Sequence, residues 1–209
     1  MTKSRIKDAL ILFLITIIAG VALGAVYYVT KAPIAQAEYN KIQSAYREVM
    51  PDAKKFVDLP TFKADDTETI LKKAGLSEHN TINGCVQGLD GSGQLVGYVI
   101  TVKDDNSYGG DIVLSMGILK DGTVTGYSLT TINDTAGLGM KAKDEAFSSQ
   151  FKNKKVDFFE VTKSGAKSKD QIDAISGATI TSKAVTYAVD SGIAYGKYLL
   201  NQTGGKVVK

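Results

Sequence analysis

The chain has 209 residues, of which 44% are hydrophobic and 22% charged, and this composition suits one globular domain with a short appendage. The formal net charge is +3, of which the segment before residue 9 supplies +2 (three cations less Asp8), so the remainder is too weakly basic for a nucleic-acid partner. Cys85 and His79 are the only cysteine and histidine, which excludes an internal disulfide, a cysteine-ligated metal site and a histidine-activated nucleophile, so any redox chemistry requires an organic cofactor.

The first predicted element is a membrane anchor. Residues 9–29 carry no charge and read ALILFLITIIAGVALGAVYYV, which as a helix spans about 30 Å, the thickness of a bilayer's hydrocarbon core. Lys3, Arg5 and Lys7 precede this stretch, so the positive-inside rule predicts a cytoplasmic N-terminus and places residues 30–209 outside the cytoplasm. The alternative is a cleaved signal peptide ending near Ala35-Gln36-Ala37, although the apolar stretch is longer than such peptides usually have.

The next segment, residues 31–78, is predicted to be a helical linker that leads into a domain. Pro33 can open a helix that continues to about residue 50. Pro51 and Pro60 break the pattern, and the run ETILKKAGLS then predicts a short helix closed by Gly75.

From about residue 81 the apolar pattern changes to a period of two. Four runs, TINGCVQGLD, QLVGYVITVK, GDIVLSMGILK and TVTGYSLTTI, are separated by the turn sequences DGSG, DDNSYG and KDGT. Such short connections favour antiparallel neighbours. A short helix at DEAFSSQFK, a strand at VDFFEVT, a closing helix over 181–200 and a loose tail complete the prediction of an α+β fold, with helices packed on a twisted antiparallel sheet.

The sequence SGAT, residues 176–179, comes directly before the closing helix. We expect Thr181 or Ser182 to be the N-cap of that helix. Free backbone N–H groups and the positive end of the helix dipole favour a phosphate at such a position, and Gly177 and Ala178 leave the backbone open to close approach. The alternative is that these hydroxyls only cap the helix.

A longer string of residues makes this segment more specific. Asp173-x-x-Ser176-Gly177-Ala178-Thr179-x-Thr181-Ser182 resembles the flavinylation motif of the covalent-FMN domain family. That family is best known from the G subunit of the Rnf ferredoxin:NAD oxidoreductase and the C subunit of the sodium-pumping NADH:quinone reductase. Its motif threonine is joined to the phosphate of FMN by a phosphoester bond, and the resemblance implies that the residue here is Thr179.

Two further segments resemble motifs of the same family. Residues 108–112, YGGDI, are similar to its YGG turn before a strand, and residues 134–139, DTAGLG, are similar to its Glu-Thr-Pro-Gly-Leu-Gly loop, with aspartate and alanine in place of glutamate and proline. The resemblance implies a cofactor site in which Thr135 could donate a hydrogen bond and Lys141 could meet the phosphate. The other implied contacts are Ser176, Gly177, Ala178, Thr181, Tyr108, Gly109, Gly137, Leu138 and Gly139.

The resemblance also implies a function. It predicts an electron-transfer subunit of a cell-membrane, ion-translocating complex, with a cytoplasmic tip and anchor over 1–30, a covalent FMN domain over 79–201 and a flexible tail over 202–209. The expected partners are the other subunits of an Rnf-type complex, the lipid bilayer, and an FAD-dependent, magnesium-requiring flavin transferase, of whose recognition site Asp173 could form part. No catalytic side chain and no metal site are expected.

Three alternatives stand beside this prediction. The chain could be the C-type subunit of a sodium-pumping NADH:quinone reductase, or a membrane-anchored binding or assembly module without covalent flavin. GLGMKA, residues 137–142, also matches the dinucleotide-binding pattern GxGxx[GA]. That pattern requires parallel βαβ units, which the short turns disfavour.

Overall fold

The computed structural model describes residues 2–76 and 78–208 and divides the chain into two compact units, Met1–Lys41 and Ile42–Lys209. The helix α1 (Thr2–Val49) begins in the first unit. Among the described residues it is the one helix that is long and apolar enough to cross a membrane. Pro33 lies inside this helix and does not open a second one, which corrects the sequence interpretation. Good helix formers on both sides of the proline outweigh the loss of one hydrogen bond.

The second unit contains the α+β fold that the sequence predicted. Its five-stranded sheet is antiparallel throughout, in the order β1-β2-β3-β4-β5, so neighbours in the chain are neighbours in the sheet. The elements after α1 are, in chain order, β1 (Lys55–Asp58), α2 (Ala64–Ala74), β2 (Asn80–Leu89), β3 (Leu95–Asp104), β4 (Ile112–Leu119), β5 (Val124–Thr131), α3 (Glu145–Ser148), β6 (Glu160–Thr162), β7 (Gln171–Asp173) and α4 (Thr179–Thr203).

Turn chemistry fixes the strand connections. In the β2–β3 turn, Asp90 Oδ1 accepts hydrogen bonds from the backbone N–H of Ser92 at 2.8 Å and of Gln94 at 2.9 Å. In the β4–β5 turn, Asp121 does the same for Thr123 at 2.9 Å, and Gly122 takes a positive φ of 86°. In these turns the aspartate carboxylate accepts hydrogen bonds from nearby backbone N–H groups and the following glycine allows the chain to turn, as the sequence predicted.

Both faces of the sheet are covered. Alternate residues of β3, such as Tyr98 and Ile100, join the larger core beneath α4 and α2, whereas Val99 points into a smaller core formed with Val49 and Met50. One face of α4, which includes Val185, Val189 and Ile193, is buried against the sheet. A β-carbon at Gly196 would lie 2.8 Å from Ile118, so only glycine permits this close packing.

The structure departs from the sequence prediction after β5. The strand predicted over 156–162 is reduced to the three residues of β6, which pair in parallel with β7, a strand that the sequence did not reveal. The strand β1 was also missed, because its four residues follow a proline and carry a lysine and an aspartate.

The C-terminal tail, predicted to be loose, makes specific contacts with the sheet. The buried side chain of Gln87 donates a hydrogen bond to the carbonyl of Val208 at 2.9 Å and accepts one from its N–H at 2.7 Å. A buried amide requires both partners, and the tail backbone supplies them.

Candidate cofactor site

Three segments that are far apart in the sequence meet around one cavity of about 520 Å³. They are the loop between β3 and β4, the loop after β5, and the turn that leads into α4. The residues that line the cavity are Tyr108, Asp134, Thr135, Leu138, Gly139, Gly177, Ala178, Thr179, Ile180 and Thr181. Most of the residues predicted from the three motifs therefore lie at one place.

The turn into α4 differs from the sequence prediction. Ala178 is the N-cap residue and α4 begins at Thr179, so neither Thr181 nor Ser182 caps the helix. The hydroxyl of Ser182 accepts a hydrogen bond from the N–H of Ile175 and donates one to the carbonyl of Ala178, both at 2.9 Å. The buried Ser182 side chain therefore links the preceding turn to the first turn of the helix through these two hydrogen bonds. Gly177, with φ of 77°, makes the sharp entry possible, and the first N–H groups of α4 lack intrahelical acceptors.

The two threonines of the motif have different environments. Thr181 is fully buried, and its hydroxyl donates a hydrogen bond of 2.5 Å to Asp134 Oδ2. Thr179 is half-buried on the cavity wall, and within residues 2–76 and 78–208 its hydroxyl has no hydrogen-bond partner. Of these two threonines, Thr179 is therefore the one that combines a position on the cavity with a free hydroxyl.

Asp134 connects the three segments. Besides Thr181, its carboxylate accepts hydrogen bonds from the N–H of Thr135 at 2.7 Å and from the hydroxyl of Ser107 at 3.3 Å. Gly109 allows the β3–β4 loop to approach closely, since a β-carbon there would overlap the backbone of Asn133 and Asp134. Asp134 was not predicted as a site residue, although it belongs to the DTAGLG motif.

Three large apolar side chains border the cavity and remain exposed. Tyr108 is 72% exposed, Ile180 54% and Leu138 41%. Exposed apolar groups around a cavity are typical of a binding site for an organic ligand. The free N–H groups at the start of α4 are of the kind that bind a phosphate. Ile180 had no sequence signal, because it is the variable residue between the two threonines.

Four of the predicted contact residues do not line the cavity. Gly109 and Gly137 lie in the two loops, where Gly137 takes φ of 76° and completes the turn before Leu138. Ser176 and Lys141 are exposed to solvent. Within residues 2–76 and 78–208, no three histidine, cysteine, aspartate or glutamate side chains are grouped so that they could hold a metal ion.

The structure excludes the dinucleotide-binding interpretation of GLGMKA. The segment follows an antiparallel strand, and residues Gly139–Lys143 form a short 3₁₀ helix in place of the long α-helix that such a fold requires. A larger cavity, of about 760 Å³, lies beside the C-terminal part of α4, but it contains no residue of the three motifs. Cavity size alone therefore does not identify the site.

Comparison with known protein families agrees with this geometry. The family described as "FMN-binding domain" matches residues 107–194, which include all three cavity-lining segments. The "RnfG N-terminal region" matches residues 1–49, which contain α1.

Full-length relatives decide the family. The chain is 34% identical, over 91% of its length and 91% of the relative, to the G subunit of the Na(+)-translocating ferredoxin:NAD(+) oxidoreductase complex of Acetobacterium woodii. The chain belongs to the family of G subunits of ion-translocating oxidoreductase complexes.

Two other G subunits are similar over nearly the whole chain. The G subunit of the proton-translocating ferredoxin:NAD(+) oxidoreductase complex of Clostridium ljungdahlii is 32% identical, over 90% of this chain and 88% of that one. The G subunit of the ion-translocating oxidoreductase complex of Methanosarcina acetivorans is 31% identical, over 93% and 95% respectively. The G-subunit family thus accounts for both the anchor and the cavity-bearing domain of this chain.

Proposed function

We propose that this chain is an electron-transfer subunit of a membrane-bound, ion-translocating ferredoxin:NAD+ oxidoreductase, and that it carries FMN joined to Thr179 by a phosphoester bond. Family membership and the FMN-binding domain support the first part. The observation that carries the second part is the difference between the two threonines: the Thr179 hydroxyl lies free on the cavity, whereas the Thr181 hydroxyl is buried and engaged by Asp134.

Each part of the cavity matches a part of FMN. Tyr108, Leu138 and Ile180 offer apolar contact to a ring system, and the first N–H groups of α4 favour the phosphate next to Thr179. When bound, FMN supplies the electron-carrying chemistry that side chains lack. The residues of this chain would hold the ring and restrict its access to water.

Thr179 cannot attach the cofactor unaided. A threonine hydroxyl requires a base to become nucleophilic. The only histidine, His79, does not line the cavity, and the carboxylate of Asp134, which does, already accepts the hydroxyl of Thr181. A separate flavin transferase, with Mg²⁺ and FAD, would supply that base. The threonine oxygen would bond to the phosphorus of the FMN half of FAD, the phosphoanhydride bond would break, AMP would leave, and the threonine proton would pass to the transferase. The chain would gain the mass of FMN less one water.

The experiment is intact mass spectrometry of the full chain after co-expression with a flavin transferase. The unaltered protein should show the mass gain, and Thr179→Val, which removes the hydroxyl but keeps the shape, should not. Thr61→Val, at an exposed threonine outside the cavity, is the control and should be modified normally. An unaltered protein that gains no mass, or a Thr179→Val variant that does, would contradict the proposed linkage.

The domain would lie outside the cytoplasm. The cations at Lys3, Arg5 and Lys7 support a cytoplasmic N-terminus for α1. A flavin on the outer side could not be replaced from the cytosolic pool after dissociation, so a covalent bond has a physical reason there. Labelling an introduced cysteine from outside intact cells tests this orientation.

A further inference from the structure

The carboxylate of Asp134 contacts all three segments of the site. It receives hydrogen bonds from Ser107 in the β3–β4 loop, from Thr135 in its own loop, and from Thr181 in the first turn of α4. The bond to Thr181 joins an oxygen of the carboxylate to the hydroxyl of a fully buried residue. Hydrogen bonds to a carboxylate are stronger than neutral ones, so this group is well suited to fix loops in place.

The backbone around Asp134 leaves room for this carboxylate. A β-carbon at Gly139 would overlap all three outer atoms of the Asp134 side chain. Gly139 does not have a positive φ, so an alanine there would meet no backbone strain. The absence of a side chain at Gly139 therefore leaves space for the Asp134 carboxylate.

We propose that Asp134 is the positioning residue that selects Thr179 for attachment of the flavin phosphate. This proposal rests on the proposed function. By holding the Thr181 hydroxyl as a donor, Asp134 fixes the rotation of the first turn of α4 and keeps the second threonine of the motif buried, so that the flavin phosphate does not reach it. By holding Ser107, it keeps Tyr108 beside the same turn. Thr179 is then presented on the cavity wall with its hydroxyl free.

The test compares Asp134→Ala, Gly139→Ala and the double variant in the full chain. Two quantities are measured: the rate of mass gain with purified flavin transferase, FAD and Mg²⁺, and the hydrogen exchange of the amides of residues 179–182 in the unmodified protein. Asp134→Ala should slow the mass gain by about tenfold or more and speed the exchange, because small misplacements of a reacting group are costly. Gly139→Ala should do the same by displacing the carboxylate.

The double variant provides the sharpest test. In Asp134→Ala the three atoms nearest to the added methyl at position 139 are gone, so the double variant should be no slower than Asp134→Ala alone. Asp134→Asn keeps one oxygen acceptor for Thr181 and should recover part of the rate. Asp144→Ala is the control, since Asp144 is exposed and its side chain forms no capping hydrogen bond. It should leave both measurements unchanged.

The outcomes separate this inference from the proposed function. Wild-type modification rates in Asp134→Ala, or additive effects in the double variant, would overturn the role of Asp134. Equal defects in Asp134→Asn and Asp134→Ala would overturn the hydrogen-bond argument. If the unaltered protein is never modified, the proposed function fails, and the hydrogen-exchange comparison still decides whether Asp134 holds the first turn. Circular dichroism identifies a variant that has lost its fold. If Asp134→Ala is such a variant, Asp134→Asn is compared with the unaltered protein in its place.

Discussion

Asp190 should make the stability of this domain fall as the pH rises through the slightly acidic range. It lies in the middle of α4, is 4% exposed, and its carboxylate accepts a hydrogen bond from the N–H of Phe159 at 2.8 Å. Burial raises the pKa of the Asp190 carboxyl to about 7, against the smaller opposing effects of that hydrogen bond and of Lys197. The folded state therefore binds this proton more tightly than the unfolded state.

The size of the effect follows from the two pKa values. With a pKa of about 3.9 for the unfolded chain and about 7 for the folded one, the proton contributes its full stabilisation below about pH 4 and loses it as the pH rises to about 7. Between pH 5 and pH 7.5 the loss is on the order of 2.5 kcal/mol, since one pKa unit corresponds to about 1.4 kcal/mol. Asp190→Asn cannot titrate and keeps an oxygen for Phe159, so it should remove this part of the pH dependence.

The assay is urea unfolding of the full chain in detergent at pH 5 and pH 7.5, followed by circular dichroism. The free energy of unfolding should fall less between the two pH values in Asp190→Asn than in the unaltered protein. Asp121→Asn is the matched control: hydrogen bonds from Thr123 lower the pKa of the exposed Asp121 carboxyl, so its removal should not reduce the fall. An equal fall in Asp190→Asn and in the unaltered protein would contradict the assigned role of Asp190.

Two further predictions concern the sheet and the anchor. Gly97→Ala would place a β-carbon against the backbone of β4 and should lower the free energy of unfolding by about 1–3 kcal/mol, as read from the urea midpoint. The control is Gly84→Ala, whose β-carbon would meet nothing within 4 Å and should change the free energy of unfolding little. Equal effects of the two substitutions would contradict the packing argument. For membrane orientation, a membrane-impermeant maleimide should label Ser164→Cys in intact cells and Ser4→Cys only after permeabilisation. The native Cys85 is buried and should give no background labelling. The reverse pattern would show the opposite orientation.

Local chemistry explains which elements could be predicted. The sheet followed from alternating apolar residues and from turns such as Asp90-Gly91, in which side chain and backbone satisfy each other within a few residues. The helix α2 followed from its closing Gly75, which takes φ of 73° and donates to the carbonyls of the last turn. These signals depend on neighbours in sequence, so no knowledge of the tertiary structure was required.

The elements that were missed depend on distant partners. The strand β7 has three residues and forms only because Gln150 accepts a hydrogen bond from the N–H of Asp173 and β6 lies alongside. The start of α4 was misplaced because Ser182 bonds inward to Ile175, which precedes the helix, in place of capping its end. A hydroxyl near a helix start has both options, and packing decides between them.

The sequence by itself indicated the anchor and the antiparallel α+β fold, because an uncharged stretch of bilayer length and a two-residue period each express a local physical requirement. The motifs of the candidate site were recognised by their resemblance to those of a known family. Only the tertiary structure decided which hydroxyl is free. Thr179 and Thr181 are the same type of residue. Their hydroxyls differ because the fold brings Asp134, which is 47 positions away from Thr181 in the sequence, within hydrogen-bond distance of Thr181.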